Sequence, residues 1–220
     1  MGLGRIYLLV YNLAMVLGWG AILTGLLYNA YSDPKSLWQP YTHPLLRLLT
    51  QVFQTAMLLD VVHAAVGLSR TSPITALLQV VSRVWVVWGV LELLPSTQNS
   101  LTLLFAWSWA EVIRYSHYIK SDIGTVEKSS WLLYFRYSAF IPLYPMGVAS
   151  ELLCLKDAWS VISHCCPRVF SISMPNSFNF AFDYRWFILY TVLPAYVLGL
   201  PYLYSYMLSQ RKARLQPKSD

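Results

Sequence analysis

The chain has 220 residues, of which 56% are hydrophobic and only 12% charged, and its formal net charge is +6. A soluble domain carries about twice that charged fraction, and the apolar residues here fall in runs long enough to cross a bilayer. Composition therefore excludes a soluble domain and predicts an all-α membrane protein with one polytopic domain over residues 1–220. The basic residues are scattered except in the tail RKARLQPK, so we expect a lipid bilayer and no nucleic acid as partner.

Six transmembrane helices are predicted, and they form a six-helix bundle. They cover approximately residues 6–31, 45–68, 74–94, 99–119, 131–155 and 185–208. The first run is too long for a signal-peptide core and lacks a small-residue cleavage site, so it is predicted to be a retained helix. The segment 156–184 is long for a turn, and two placements stay open for it: at the membrane interface, or folded back as a cap over the bundle.

The orientation follows from the lysines and arginines that flank the spans. With six spans both termini share one side of the membrane. The basic residues on that side are Arg5, Arg70, Lys120, Lys128, Arg211, Lys212, Arg214 and Lys218. Those on the other side are Lys35, Lys156 and Arg168, with Arg185 at a boundary. This excess predicts that both termini are cytosolic.

Several titratable residues fall within or near the spans, which indicates a shared polar interior because isolated charges there are costly. They are Arg47, Asp60, His63, Arg83, Glu92, Glu111, Arg114, Arg136 and Glu151. Arg47, Glu92 and Arg114 lie close enough to span ends for their side chains to snorkel to the surface.

Spacing predicts partners for some of these groups. Asp60 with His63 and Glu111 with Arg114 are each three residues apart on one helix face, so both are predicted to be structural pairs. Arg83 lies in the middle of a span and needs a partner from another helix. Glu111 and Glu151 are the two candidates.

Two other kinds of site are excluded by the residues. The cysteines Cys154, Cys165 and Cys166 have neither disulfide-framework nor zinc spacing, so we expect no metal and no cofactor. The segment from His63 to Thr71 is similar to a tyrosine-phosphatase signature, but Ala64 occupies the nucleophile position. Without a thiolate there is no phosphocysteine chemistry, so phosphatase activity is rejected.

The candidate site lies in the apolar segment Trp131–Leu155. On a helix, Tyr144 and Glu151 lie about 20° apart in rotation and about 10.5 Å apart along the axis, so both face one groove. Pro142 and Pro145 bracket Tyr144, and a proline opens a helix near the residue four positions before it. The alternative interpretation is an interfacial tyrosine with a structural glutamate.

The pair suits acid/base chemistry. A phenol is a hydrogen-bond donor that stays protonated at neutral pH, and a carboxyl group takes or gives a proton. Together they fit a reaction that removes a carbon-bound proton and protonates a leaving oxygen, as in loss of water from a 3-hydroxyacyl thioester. The residues alone predict a lipid-facing acid/base enzyme, and they leave dehydration, hydrolysis and isomerisation open.

Motifs along nearly the whole chain narrow that choice. They are RIYLLVYN, LLDVVHAAVGLSR, SRVWVVWGVLE, WSWAEVIRYSHY, LLYFRYSAFIPLYPMGVASE, SMPNSFNFAFDY and YSYMLSQRKA. With them the chain resembles the very-long-chain 3-hydroxyacyl-CoA dehydratase family, also called protein tyrosine phosphatase-like, and most of all its plant PASTICCINO-type members. The most specific part is the pattern RYS-x-F-x-x-x-YP-x-G-x-x-SE from Arg136 to Glu151.

The resemblance implies a multi-pass protein of the endoplasmic reticulum with cytosolic termini. It implies conversion of (3R)-3-hydroxyacyl-CoA to trans-2-enoyl-CoA, the third step of the fatty acid elongation cycle, alongside the other elongase-cycle enzymes: ketoacyl-CoA synthase, ketoacyl reductase and enoyl reductase. The family's catalytic tyrosine and glutamate fall on Tyr144 and Glu151. Met146 and Pro142 depart from the usual plant pattern without removing a catalytic group.

Other roles stay open at this point. Arg114 and Arg136 are candidates for orienting the site or for binding the phosphates of CoA. Which of Tyr144 and Glu151 takes the proton is undecided. The rival interpretations are a catalytically inactive phosphatase-like scaffold for elongase or phosphoprotein partners, and a lipid or proton transporter that uses the same buried acids.

Overall fold

The computed structural model of the chain describes residues 2–32, 39–69, 72–94, 96–124 and 131–215. Helices dominate these residues, as predicted, and no β-strand is formed within the described ranges. One isolated antiparallel bridge joins Ile172 to Phe182. Of the basic residues used to predict orientation, Lys35, Arg70, Lys128 and Lys218 lie outside the described part of the chain.

Nine α-helices run along the described residues. They are α1 (Leu3–Ser32), α2 (Pro44–Ala56), α3 (Leu58–Ala65), α4 (Pro73–Trp85), α5 (Ser100–Ile123), α6 (Trp131–Ser138), α7 (Phe140–His164), α8 (Tyr184–Phe187) and α9 (Leu193–Leu215). Helix α4 continues through a π-helical turn, Val86–Val90, into a short 3₁₀ turn, and a second π-helical turn, Ile188–Val192, joins α8 to α9.

Local sequence explains several helix ends. Pro44 and Pro73 stand at the first positions of α2 and α4, where the missing N–H of proline has no helical partner to lose. Helix α5 ends at Gly124, whose φ of 79° lies in the left-handed region that favours glycine. The interruption between α6 and α7 falls at Ala139, three residues before Pro142, which agrees with the predicted opening of the helix ahead of that proline.

Five helical segments are long and apolar enough to cross a membrane. They are Leu3–Ser32, Pro44–Ala65, Pro73–Leu93, Trp131–His164 and Tyr184–Leu215. They coincide with five of the six predicted spans. The predicted span 99–119 is also helical, as α5, but it falls outside this set because it carries charged residues such as Glu111 and Arg114.

The chain divides into two compact units, Met1–Cys154 and Leu155–Asp220. In the first unit α5 packs chiefly against α1, and its buried residues include Leu103, Trp107 and Tyr115 together with the charged Glu111 and Arg114. The single domain predicted from sequence stays a prediction.

Close approach of α1 and α2 within the first unit depends on small residues. A Cβ added at Gly18 would lie 2.1 Å from the ring of Phe53, and one added at Gly25 would lie 2.7 Å from Leu46. Because both contacts are below normal van der Waals distance, only glycine permits this spacing of the two helices.

In the second unit, the end of one helix differs from the end predicted from the sequence. Helix α7 continues to His164, so residues 156–164 are helical and the connection to α8 is shorter than predicted. Within this connection the side chain of Asn176 donates to the carbonyls of Ser173 and Phe180, at 3.0 and 2.6 Å. The carboxylate of Asp183 caps α8 by accepting from the backbone N–H of Arg185.

Candidate active site

Tyr144 and Glu151 both lie on α7, which runs without interruption past them although Pro145 is inside it. Both side chains are half-buried. Their spacing of seven residues puts both groups on one face of α7, about 10.5 Å apart along the helix axis.

The buried face of α7 packs on α5. Leu143, Gly147, Ser150 and Cys154 are the buried residues of this stretch, at the spacing of a single helix face. A Cβ at Gly147 would lie 3.7 Å from the Cβ of Ala106, which is ordinary contact distance. The hydroxyls of Ser150 and Thr102 share a 2.7 Å hydrogen bond. These contacts fix the register of the two helices immediately beside Glu151.

A tryptophan of α5 holds the Glu151 carboxylate. The indole N–H of Trp107 donates to Oε1 of Glu151 over 3.0 Å. The guanidinium carbon of Arg83 lies 4.6 Å from the centre of the Trp107 ring, in a cation–π contact. Trp107 is not among the site residues predicted from the sequence. Its spacing of four from Glu111 and seven from Arg114, which puts all three on one face of α5, was the available signal.

Behind this tryptophan lies a buried network of charges. Arg83 forms an ion pair with Glu111, and Oε2 of Glu111 lies 2.8 Å from Nε of Arg114. Nη2 of Arg114 lies 2.8 Å from Oδ2 of Asp60. The predicted Glu111–Arg114 pair is thus confirmed, and of the two candidate partners of Arg83 the structure selects Glu111.

The predicted pairing of Asp60 with His63 is wrong. Asp60 instead accepts from Arg114 and from the hydroxyls of Tyr11 and Tyr115, at 2.8 and 2.7 Å. The His63 ring shares a 3.0 Å hydrogen bond with the Tyr7 hydroxyl. An arginine carries a full positive charge at every relevant pH, so it is the stronger partner for a buried carboxylate than a neutral imidazole.

The two candidate substrate-binding arginines differ in their surroundings. The side chain of Arg114 is 9% exposed and is engaged by two carboxylates, so the prediction that it snorkels is wrong. Of its two predicted roles, this geometry favours orientation of the interior over binding of phosphate. Arg136, on α6, is half-buried, with its guanidinium carbon 5.9 Å from the ring centres of Tyr118 and Tyr137.

Arg47 and Glu92 form a second ion pair, away from Tyr144. Both side chains were predicted to snorkel to the surface. The Arg47 side chain is 40% exposed and at the same time pairs with Glu92. The hydroxyl of the buried Tyr41 donates to the same carboxylate over 2.8 Å. Burial, together with this hydrogen bond to Glu92, raises the pKa of Tyr41 above its usual range.

An apolar groove lies between α1 and α5, with a volume of about 230 Å³. Its lining comprises Leu26, Leu27, Ala30, Leu101, Thr102 and Phe105. One of these lining residues, Thr102, is also the residue whose hydroxyl bonds Ser150, the neighbour of Glu151 on α7.

The phosphatase-like segment begins in α3 and continues past the end of that helix. Ala64 is buried near the end of α3, and the backbone N–H groups of Leu68 and Ser69 both donate to the carbonyl of His63. Arg70 and Thr71, which complete the signature, lie outside the described residues.

The three cysteines are free thiols. In the described part of the chain no group of three His, Cys, Asp or Glu side chains is arranged to hold a metal ion.

Comparison with known proteins gives the family. Residues 54–217 match the model described as protein tyrosine phosphatase-like protein, PTPLA. "Very-long-chain (3R)-3-hydroxyacyl-CoA dehydratase hpo-8" of Caenorhabditis elegans is 38% identical over 209 residues, covering 94% of this chain and 93% of that relative. The chain therefore belongs to the protein tyrosine phosphatase-like family.

Plant and mammalian relatives resemble the chain to a similar degree. The dehydratase PASTICCINO 2 of Arabidopsis thaliana is 37% identical over 216 residues, covering 96% of this chain and 93% of the relative. Very-long-chain (3R)-3-hydroxyacyl-CoA dehydratase 2 of Homo sapiens is 35% identical over 215 residues, covering 96% and 81%. No solved structure matches the chain significantly.

Proposed function

We propose that this protein removes water from very-long-chain (3R)-3-hydroxyacyl-CoA to give trans-2-enoyl-CoA, with Tyr144 and Glu151 as its acid/base pair. The observation that carries the assignment of residues is that a phenol and a carboxylate share one face of α7, with the carboxylate bound by the N–H of Trp107. The family supplies the reaction, since its relatives of similar length are named as dehydratases of this substrate.

The proposed reaction needs one base and one acid. The Glu151 carboxylate takes the α-proton of the thioester, and the electrons of that C–H bond form the double bond to carbon 3. The bond from carbon 3 to oxygen breaks as the Tyr144 hydroxyl protonates the departing oxygen, which leaves as water. Transfer of a proton from Glu151 to the tyrosinate then restores both groups. Glu151 takes the base role because a tyrosine stays protonated at neutral pH.

The proposed membrane arrangement has six spans and cytosolic termini, in the endoplasmic reticulum. Helix α5, with 24 residues, is about 36 Å long and so long enough to cross a bilayer. Its charged residues Glu111 and Arg114 are buried against protein, which removes the cost of exposing them to lipid. The thioester enters from the cytosolic side, and the other elongation enzymes are the proposed partners.

The test is conversion of a 3-hydroxyacyl-CoA by purified protein. Tyr144→Phe and Glu151→Gln each remove one proton-transfer group while preserving shape, so we expect each to lower kcat by roughly 100-fold or more. The matched control is Tyr190→Phe, which removes a phenol from an exposed ring on the last predicted span. Full activity in the Tyr144 or Glu151 variant would refute the site. A scaffold would form no enoyl-CoA at all, and a transporter would move lipid across vesicles without changing it.

A further inference from the structure

The Glu151 carboxylate needs an external contact to hold it in one orientation. The terminal torsion of a glutamate side chain has a broad energy minimum, so the plane of the carboxylate is not fixed by the side chain itself. The N–H of Trp107 supplies such a contact, from 3.0 Å and in the direction of Oε1.

The indole is itself immobilised. Trp107 is only 2% exposed. Arg83 lies over one face of its ring, and Arg83 is fixed in turn by the ion pair with Glu111, one helical turn from Trp107 on α5. Packing and charge therefore hold the N–H in one position before any substrate arrives, which is the condition for a preorganised site.

We infer that Trp107 is a positioning residue for the Glu151 carboxylate: its N–H fixes the oxygen Oε1, and this sets the direction from which the carboxylate approaches the α-carbon of the substrate. The inference rests on the proposed function, in which Glu151 takes the α-proton. It adds a residue that does not itself exchange a proton. Trp107 acts through a single hydrogen bond to a charged group, the kind of hydrogen bond that contributes most.

The test compares three variants with the wild-type protein. Trp107→Phe keeps an apolar ring and removes the N–H, whereas Trp107→His removes more volume but keeps a ring N–H. Trp109→Phe is the matched control, since Trp109 is on the same helix and 43% exposed. We expect Trp107→Phe to lower kcat by roughly 10- to 100-fold with KM changed less than about threefold. The His variant should recover part of kcat, and Trp109→Phe should match the wild type.

Each result either supports or overturns the positioning role of Trp107, provided that rates are normalised to the amount of folded, monodisperse protein. A Phe variant as active as the wild type, or a His variant no better than the Phe variant, overturns the inference while leaving the proposed function intact. If both small-ring variants fail to fold, 3-benzothienylalanine at position 107 replaces the N–H by sulfur in a ring of the same shape. Undiminished kcat in that protein overturns the inference, and a loss comparable to that expected for Phe supports it.

A second measurement does not depend on activity. If the hydrogen bond exists, Trp107→Phe should lower the thermal unfolding midpoint less in a Glu151→Leu background than in the wild type. Equal shifts in both backgrounds overturn the contact. If positions 107 and 151 are coupled in this way but the wild-type protein does not dehydrate the substrate, the contact is supported and the proposed function is refuted.

Discussion

Glu111→Gln is the substitution that the buried network makes most informative. The carboxylate of Glu111 is 1% exposed and lies between the guanidinium groups of Arg83 and Arg114. Glutamine has the same shape without the charge. The change leaves Arg114 with its second partner, Asp60, but among the described residues it leaves Arg83 no carboxylate, just the face of Trp107. An arginine would thus remain buried without a counter-charge.

The expected cost follows from that uncompensated charge. Removing one partner of a buried ion pair destabilises a protein by about 3–5 kcal/mol. The less buried pair Arg47–Glu92 gives a control, because its side chains are 40% and 18% exposed and Glu92→Gln keeps an acceptor for Tyr41. For this second substitution we expect about 1 kcal/mol or less.

The measurement is an unfolding titration of purified protein in detergent, followed by tryptophan emission. The double variant Arg83→Met with Glu111→Gln removes both charges, so its loss of stability should be clearly smaller than the sum of the two single losses. The reasoning would be refuted if Glu111→Gln cost no more than Glu92→Gln, or if the two single losses were additive.

Two further predictions concern helix packing and orientation. Gly18→Ala should destabilise the protein by about 1–3 kcal/mol because its Cβ would overlap the Phe53 ring. Gly20→Ala, with nothing within 4 Å, should stabilise it by up to about 1 kcal/mol because alanine favours a helix. Equal effects in the same titration would contradict the close approach of α1 and α2. In sealed vesicles with the cytosolic face outward, the exposed Cys165 and Cys166 should react with a membrane-impermeant maleimide only after permeabilisation, while Lys212→Cys should react at once. Immediate labelling of the native cysteines would exclude the proposed orientation.

The helices and one of the two ion pairs predicted within a helix follow from the sequence. All six predicted spans are helical, and the shared helix face of Tyr144 and Glu151 follows from seven residues of helical spacing. The Glu111–Arg114 pair is confirmed for the same reason. Helix limits were predicted less well, since α7 continues nine residues beyond the predicted end at residue 155 and includes the charged Lys156 and Asp157.

Features that depend on two helices required the tertiary structure. Sequence spacing allowed Asp60 to pair with His63, and it left Arg83 with two possible partners. The packing of the first unit decides both, since it brings Arg114 to Asp60 and Glu111 to Arg83. It also places Trp107 on Glu151, a contact across 44 positions of sequence. The register between neighbouring helices is set by packing, as where Gly147 meets Ala106, and no local pattern encodes it. The sequence by itself therefore determined the membrane class, the helices and the shared helix face of Tyr144 and Glu151, and only the tertiary structure determined which residue of another helix binds the Glu151 carboxylate.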